Sequence, residues 1–188
     1  MLYKGEKVRL RALEREDLRQ CVEWFRDPEV RENLFLDRPV SMAEEEKWFE
    51  EHLKRGNDII FCIETKQGKY IGNIGIHRID HKNRHAELGI FIGDKSYWNK
   101  GCGTEAIRLA LRYAFDDLNM HKVYLTHFEG NERARRCYEK CGFVQEGVLR
   151  DHIFKHGRYH DHPMMSVINP RETGRASKLR ASAKKNRR

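Results

Sequence analysis

The most constraining feature of the sequence lies near its middle, where an apolar run at residues 86–92 leads through a glycine turn into a helical segment at 105–118. The turn consists of Asn99, Lys100, Gly101, Cys102, Gly103 and Thr104. Two glycines let the backbone turn without a Cβ clash, and successive N–H groups at the start of a helix attract an anion. The order strand, glycine turn, helix therefore predicts a mixed α/β fold with a pyrophosphate site.

The basic charge of the chain is concentrated at its C-terminal end. The 188 residues carry a formal net charge of +8, of which +7 falls between residues 170 and 188. A segment so basic and so poor in large apolar residues does not bury enough surface to fold. We therefore expect one folded domain, residues 1–169, and a disordered tail, residues 170–188. The tail is either a solvated end or a weak contact site for RNA or another polyanion.

Neither membrane insertion nor export is predicted. No stretch approaches the roughly 18 apolar residues that cross a bilayer, and the first residues lack the apolar core of a signal peptide. The cysteines are Cys21, Cys62, Cys102, Cys137 and Cys141, an odd number that indicates reduced thiols in a chain without an export signal. We expect a cytoplasmic protein. The ten histidines have no acidic or cysteine partners at metal-ligand spacing, so no metal is expected.

Hydrophobic periodicity and turn residues predict the order β-α-α-β-β-β-α-β-α-β-β. The predicted strands cover residues 7–13, 58–65, 69–79, 83–93 and 122–128, with a final hairpin that begins at 143 and turns at His156-Gly157. The predicted helices cover residues 14–25, 42–56, 105–118 and 131–140. Ser41 and Glu44 have the spacing of a capping box at the start of the second helix.

This order and two motifs resemble the GNAT superfamily of acetyl-CoA-dependent N-acetyltransferases over about residues 6–168. The motifs are the glycine turn and, about 30 residues later, Asn-x-x-Ala-x-x-x-Tyr-x-x-x-Gly-Phe at 131–143. Leu10-Arg11, residues 86–89, Trp98 and residues 157–161 are similar to the branch with ribosomal-protein alanine and spermidine acetyltransferases. The resemblance implies a mixed, largely antiparallel sheet of about seven strands, splayed between the fourth and fifth and flanked by about four helices.

The resemblance also implies how acetyl-CoA is held, as the acetyl donor. Its pyrophosphate is expected on the N–H groups of Asn99, Lys100, Gly101, Cys102, Gly103 and Thr104. Its pantetheine is expected to pair like a strand with Ile90, Phe91 and Ile92, with Asn131 as a further hydrogen-bonding residue. Trp98 stands where the family usually has Gln or Arg, which removes one polar side chain from the phosphate site.

For catalysis, the resemblance implies direct attack of an amine on the thioester in a ternary complex. Tyr138 matches the tyrosine that protonates the sulfur of coenzyme A. Glu87 is the candidate base, because strand alternation separates it from the apolar face formed by Ala86 and Leu88. A base matters most for amines with a pKa near ~10.4, and less for an α-amino group near ~8.

The predicted function is an N-acetyltransferase that acts on a primary amine, either a protein N-terminus or a polyamine. A nucleotide-linked amino sugar or another small amine is the alternative acceptor, and a non-catalytic module that binds coenzyme A or RNA is the alternative class. The acidic run Glu44-Glu45-Glu46 attracts a polycation or forms a solvated helix face. The sequence does not distinguish a monomer from a homodimer.

Overall fold

Residues 3–172 are described by the computed structural model, in which a single sheet organises the fold. Its eight strands are β1 (Tyr3–Lys4), β2 (Val8–Ala12), β3 (Ile59–Thr65), β4 (Tyr70–Asp80), β5 (His85–Ile92), β6 (Lys122–Thr126), β7 (Val144–Lys155) and β8 (Arg158–Ile168). They lie in the order β1-β2-β3-β4-β5-β6-β8-β7. Among these strands every neighbouring pair is antiparallel except β5 and β6.

The helices are α1 (Leu18–Arg26), α2 (Pro28–Arg31), α3 (Met42–Lys54), α4 (Cys102–Asp116) and α5 (Glu132–Glu139), with short 3₁₀ turns at Arg15–Asp17 and Lys95–Tyr97. They cover both faces of the sheet. Strand alternation shows this at β3, where Phe61 and Ile63 join the core beneath α4, while Ile60 and Cys62 join a cluster with Phe49 of α3. One face of α4 is apolar and packs into this core, with Ala106, Ile107, Ala110, Leu111 and Ala114 all buried.

The sheet opens between β5 and β6, as predicted for the fourth and fifth strands of the sequence analysis. Their register stops at the pair Glu87 and Tyr124, although β5 continues to Ile92. From Leu88 onward the β5 backbone pairs only with β4. Within residues 3–172, this leaves one edge of the end of β5 without a partner strand.

Two elements go beyond the predicted order. The two-residue β1 adds an eighth strand, and α2 follows α1 after a break at Asp27. Asp27 caps α2 by accepting a hydrogen bond from the N–H of Glu29, and Pro28 begins the helix, a position where proline is favoured. The capping box at Ser41 and Glu44 and the hairpin turn at 156–157 are confirmed.

The domain has contacts beyond residue 169. Arg171 forms an ion pair with Asp116 at 2.9 Å, and Glu172 pairs with Arg84 and His121. These contacts place the first residues of the predicted tail against the domain. The rest of that tail, from residue 173 to 188, lies outside the described residues. Within residues 3–172, no helix is long and apolar enough to cross a membrane.

Candidate active site

A cleft of about 1860 Å³ occupies the opening between β5 and β6. Its walls include Ile90 and Phe91 of β5 and Thr126 of β6. Ile90 packs against the core on the α4 face. The ring of Phe91 packs against that of Phe25 of α1, with 5.6 Å between the two ring centres. The cleft therefore has one arm on each face of the sheet. A site for one drug-sized ligand measures roughly 300–1,000 Å³, so this cleft has room for a large cofactor and a second substrate.

Most of the predicted site residues line this cleft. They are Ile90, Phe91, Ile92, Asn99, Lys100, Gly101, Gly103, Thr104, Asn131 and Tyr138. Two do not line it. The Cys102 side chain is buried in the core, so this residue offers only its backbone to the turn. Glu87 lies outside the cleft wall, with its carboxylate 3.2 Å from Arg78 Nη1.

The glycine turn presents backbone N–H groups as predicted for an anion site. Gly101 is the N-cap of α4 at φ 81°, in the left-handed region that favours glycine. It has no side chain with which to cap the helix, so no capping side chain occupies the N–H groups of Cys102, Gly103 and Thr104. The positive end of the helix dipole adds to the attraction for a phosphate.

Trp98 has a role that the sequence analysis missed. Its indole Nε1–H donates to the Ile92 carbonyl at 2.7 Å, which fixes the ring against the end of β5. The guanidinium of Arg133 from α5 lies 3.6 Å from the centre of this ring. The aromatic side chain thus replaces a polar one by holding an arginine at the cleft through a cation–π contact.

Tyr138 is buried, at 8% exposure, and lines the cleft from α5. Burial raises the pKa of its phenol above the usual value, so the group stays protonated at neutral pH. The ring lies 6.1 Å from that of His127, which follows β6. His127 Nδ1 lies 2.9 Å from the Phe128 carbonyl, and its Nε2 is buried with no hydrogen-bond partner among the residues that the structure describes.

Glu45 is the most unusual acidic residue of the cleft. Within the run 44–46 its two neighbours are exposed, whereas Glu45 is 7% exposed and faces the arm on the α1 side. In the described part of the chain its carboxylate has no hydrogen bond or ion pair. Burial alone raises the pKa of Glu45 to about 7. From the sequence, the run 44–46 fits either a polycation site or a solvated helix face, because periodicity does not show which neighbouring helix covers it.

Opposite charges line the two arms. Around the glycine turn the cleft is lined by the cationic side chains of Lys7, Lys100, Arg133, Arg136 and Lys140. Glu132 also lines this arm, but Arg135 binds its carboxylate at 2.7 Å. The other arm carries Asp37, Glu44 and Glu45, with Arg38 paired to Glu44 at 3.3 Å. One arm therefore suits phosphates and the other suits a cation.

Comparison with known proteins agrees with this geometry. A family model described as "Acetyltransferase (GNAT) domain" matches residues 7–144. The chain belongs to the GNAT acetyltransferase family. A spermidine N(1)-acetyltransferase of Vibrio cholerae is 33% identical over 172 residues, which cover 92% of this chain and 99% of the relative. The GNAT enzyme described here is thus an acetyl-CoA-dependent N-acetyltransferase.

Solved structures and a second relative extend the comparison. The crystal structure of the Vibrio cholerae spermidine N-acetyltransferase in complex with CoA and spermine superposes with a TM-score of 0.82 at 34% identity, covering 87% of this chain and 96% of the other. A putative ribosomal N-acetyltransferase of Bacillus subtilis is 38% identical over 101 residues, 54% of this chain and 55% of the relative. In residues 3–172, no group of three or more His, Cys, Asp or Glu is arranged to hold a metal.

Proposed function

We propose that this GNAT enzyme transfers the acetyl group of acetyl-CoA to a polyamine such as spermidine. The observation that carries this proposal is the buried side chain of Glu45, whose carboxylate lines the cleft and has no partner among residues 3–172. A buried unpaired charge is costly, and an ammonium group of the acceptor would supply the missing partner. The similarity to spermidine acetyltransferases supports the same acceptor.

The residues of the other arm fit coenzyme A. Its phosphates suit the surrounding cations and the N–H groups of residues 102–104, which no capping side chain among the described residues occupies. The edge of β5 at Ile90 and Ile92 has no partner strand among the described residues and suits the amide groups of pantetheine, and there the Ile92 carbonyl also accepts from Trp98 Nε1–H. The bound thioester supplies the acyl group. Tyr138 donates its phenolic proton to the sulfur as the C–S bond breaks, which avoids the release of a thiolate.

The acceptor amine must lose a proton before it attacks. An amine with a pKa near ~10.4 is about 3 units above neutral pH, which corresponds to roughly 4 kcal/mol of unfavourable protonation. The base role of Glu87 stays a prediction, with Arg78 as the partner of its carboxylate. His127 is the second candidate, since it lines the cleft beside Tyr138 and has an unpartnered ring nitrogen.

A pair of amide variants separates these candidates. If Glu87 acts as the base through a water molecule, Glu87→Gln lowers kcat/KM for spermidine at pH 7 by about 100-fold. If His127 is the base, the loss appears in His127→Gln instead. Initial rates between pH 6 and pH 9 measure both. A normal profile in both variants would contradict both assignments.

The acceptor is tested by a panel of amines at equal concentration. Spermidine and spermine are expected to give a kcat/KM at least about 10-fold above that of peptides with an N-terminal alanine or serine, because a second ammonium pairs with the acidic arm. Thiol release from acetyl-CoA measures the rate. A preference for the peptides would favour the ribosomal-protein type of activity, and a preference for amino sugars would contradict both.

A further inference from the structure

The segment that precedes β2 is fastened to the first turn of α4. The carboxylate of Glu105 accepts hydrogen bonds from three successive backbone N–H groups, those of Glu6 at 2.8 Å and of Lys7 and Val8 at 2.7 Å each. Although burial acts to raise it, these hydrogen bonds hold the pKa of Glu105 below its usual value. A Cβ on Gly5 would lie 2.4 Å from Cδ of Glu105, so a larger residue at this position would displace the Glu105 carboxylate from these N–H groups.

This attachment brings the Lys7 side chain to the glycine turn. Lys7 Nζ donates to the Lys100 carbonyl at 2.7 Å and lies 3.1 Å from the position of a Cβ on Gly101. Lys7 lines the cleft, and in the described part of the chain no carboxylate forms an ion pair with its ammonium. An ammonium has three donors, so two remain for a ligand.

The ammonium of Lys7 reduces the repulsion between the Glu105 carboxylate and a bound phosphate. Glu105 places a carboxylate in the first turn of the helix whose N–H groups face the cofactor phosphates, and like charges repel. The three N–H donors disperse the charge of Glu105, and the nearby ammonium of Lys7 offsets it. Lysine is a compact point charge that pairs well with phosphate oxygens.

We propose that Lys7 binds a phosphate group of coenzyme A at the glycine turn, and that Glu105 is the positioning residue that holds Lys7 there. This inference depends on the use of acetyl-CoA and not on the identity of the acceptor. It adds a second chain segment, remote in sequence, to a cofactor site otherwise built from residues 90–138. The phosphate in question is one of the diphosphate or the 3′-phosphate of the ribose.

Isothermal titration calorimetry tests the role of Lys7 without relying on turnover. Lys7→Met is expected to weaken the binding of coenzyme A by about 10-fold and to leave pantetheine binding unchanged, because pantetheine has no phosphate. Lys4→Met, which changes an exposed lysine outside the cleft, is the matched control. Unchanged coenzyme A binding in Lys7→Met, or an equal loss for pantetheine, would overturn the proposal.

Dephospho-coenzyme A, which lacks only the 3′-phosphate, identifies the phosphate that Lys7 contacts. If Lys7→Met weakens this ligand as much as coenzyme A, the contact is with the diphosphate. If dephospho-coenzyme A binds equally to wild type and variant, the contact is with the 3′-phosphate. Normal coenzyme A binding by an enzyme that does not acetylate spermidine would overturn the polyamine proposal and leave this one intact.

A double-mutant cycle tests the positioning role of Glu105. Glu105→Gln keeps the shape of the side chain, and its melting temperature shows whether the fold persists. The variant is expected to weaken coenzyme A binding by about 5-fold in the wild-type background and to add little in the Lys7→Met background. Full additivity of the two changes would show that Glu105 does not act through Lys7.

Discussion

Replacing Tyr138 with phenylalanine is expected to lower kcat for spermidine acetylation by about 100-fold or more, the usual contribution of a general acid. The substitution removes one oxygen from a residue that is buried and protonated, so the fold and the packing against Phe143 remain. The dissociation constant of acetyl-CoA should change little, because in the proposed binding mode backbone groups and cations supply most of its binding. Stopped-time thiol release gives kcat, and calorimetry gives the dissociation constant.

The control for this experiment is Tyr159→Phe, an exposed tyrosine on β8 that does not line the cleft. It should leave both constants at the wild-type values. An undiminished kcat in Tyr138→Phe would remove the phenol from the mechanism. A loss of acetyl-CoA affinity with normal kcat would assign Tyr138 to binding instead of proton transfer.

Replacing Glu45 with glutamine is expected to reduce kcat/KM for spermidine by about 10- to 100-fold at pH 8, the range for one charge-assisted hydrogen bond. Glutamine keeps the size of the side chain and removes the charge that attracts an ammonium. Glu46→Gln is the matched control, since it removes the neighbouring, exposed carboxylate from the same helix. Equal effects of the two variants would show that only the overall charge of α3 matters.

The Glu45 effect should depend on pH in a defined direction. Because the pKa of Glu45 is raised to about 7, its carboxylate is charged above that pH and largely neutral below it. The ratio of wild-type to Glu45→Gln kcat/KM should therefore grow as the pH rises from 6 to 8. A ratio that stays constant over this range would contradict the ionisation of Glu45 as the source of recognition.

Stability provides a second readout for Glu45. Its folded-state pKa of about 7 exceeds the ordinary value of 4.5, so the folded protein binds this proton more tightly than the unfolded chain. The tighter binding of this proton increases the free energy of unfolding. This contribution is complete below pH 4.5 and is lost as the pH rises toward 7. Glu45→Gln should lack this decline and melt at a higher temperature than wild type at pH 8. Thermal melts at pH 5 and pH 8 measure the difference.

Much of the fold followed from local patterns. The glycine turn predicted backbone N–H groups at the start of a helix, and the capping residues predicted the start of α3. The short α2 was missed, because Asp27 and Pro28 end one helix and begin another within two residues. Tyr138 lines the cleft as expected, whereas the strand alternation that singled out Glu87 did not show that Arg78 would pair with its carboxylate.

Most of the elements and the glycine turn were predicted from the sequence, because helix periodicity and glycine conformation are local properties of the chain. Which charges face the cleft depends instead on packing between distant segments of the chain. Lys7 reaches the turn through Glu105, 98 residues away, and Arg133 reaches it through Trp98. Glu45 differs from its acidic neighbours solely because packing buries it. Burial and long-range contact set the charge and the partner of a side chain, and neither is encoded in its immediate neighbours.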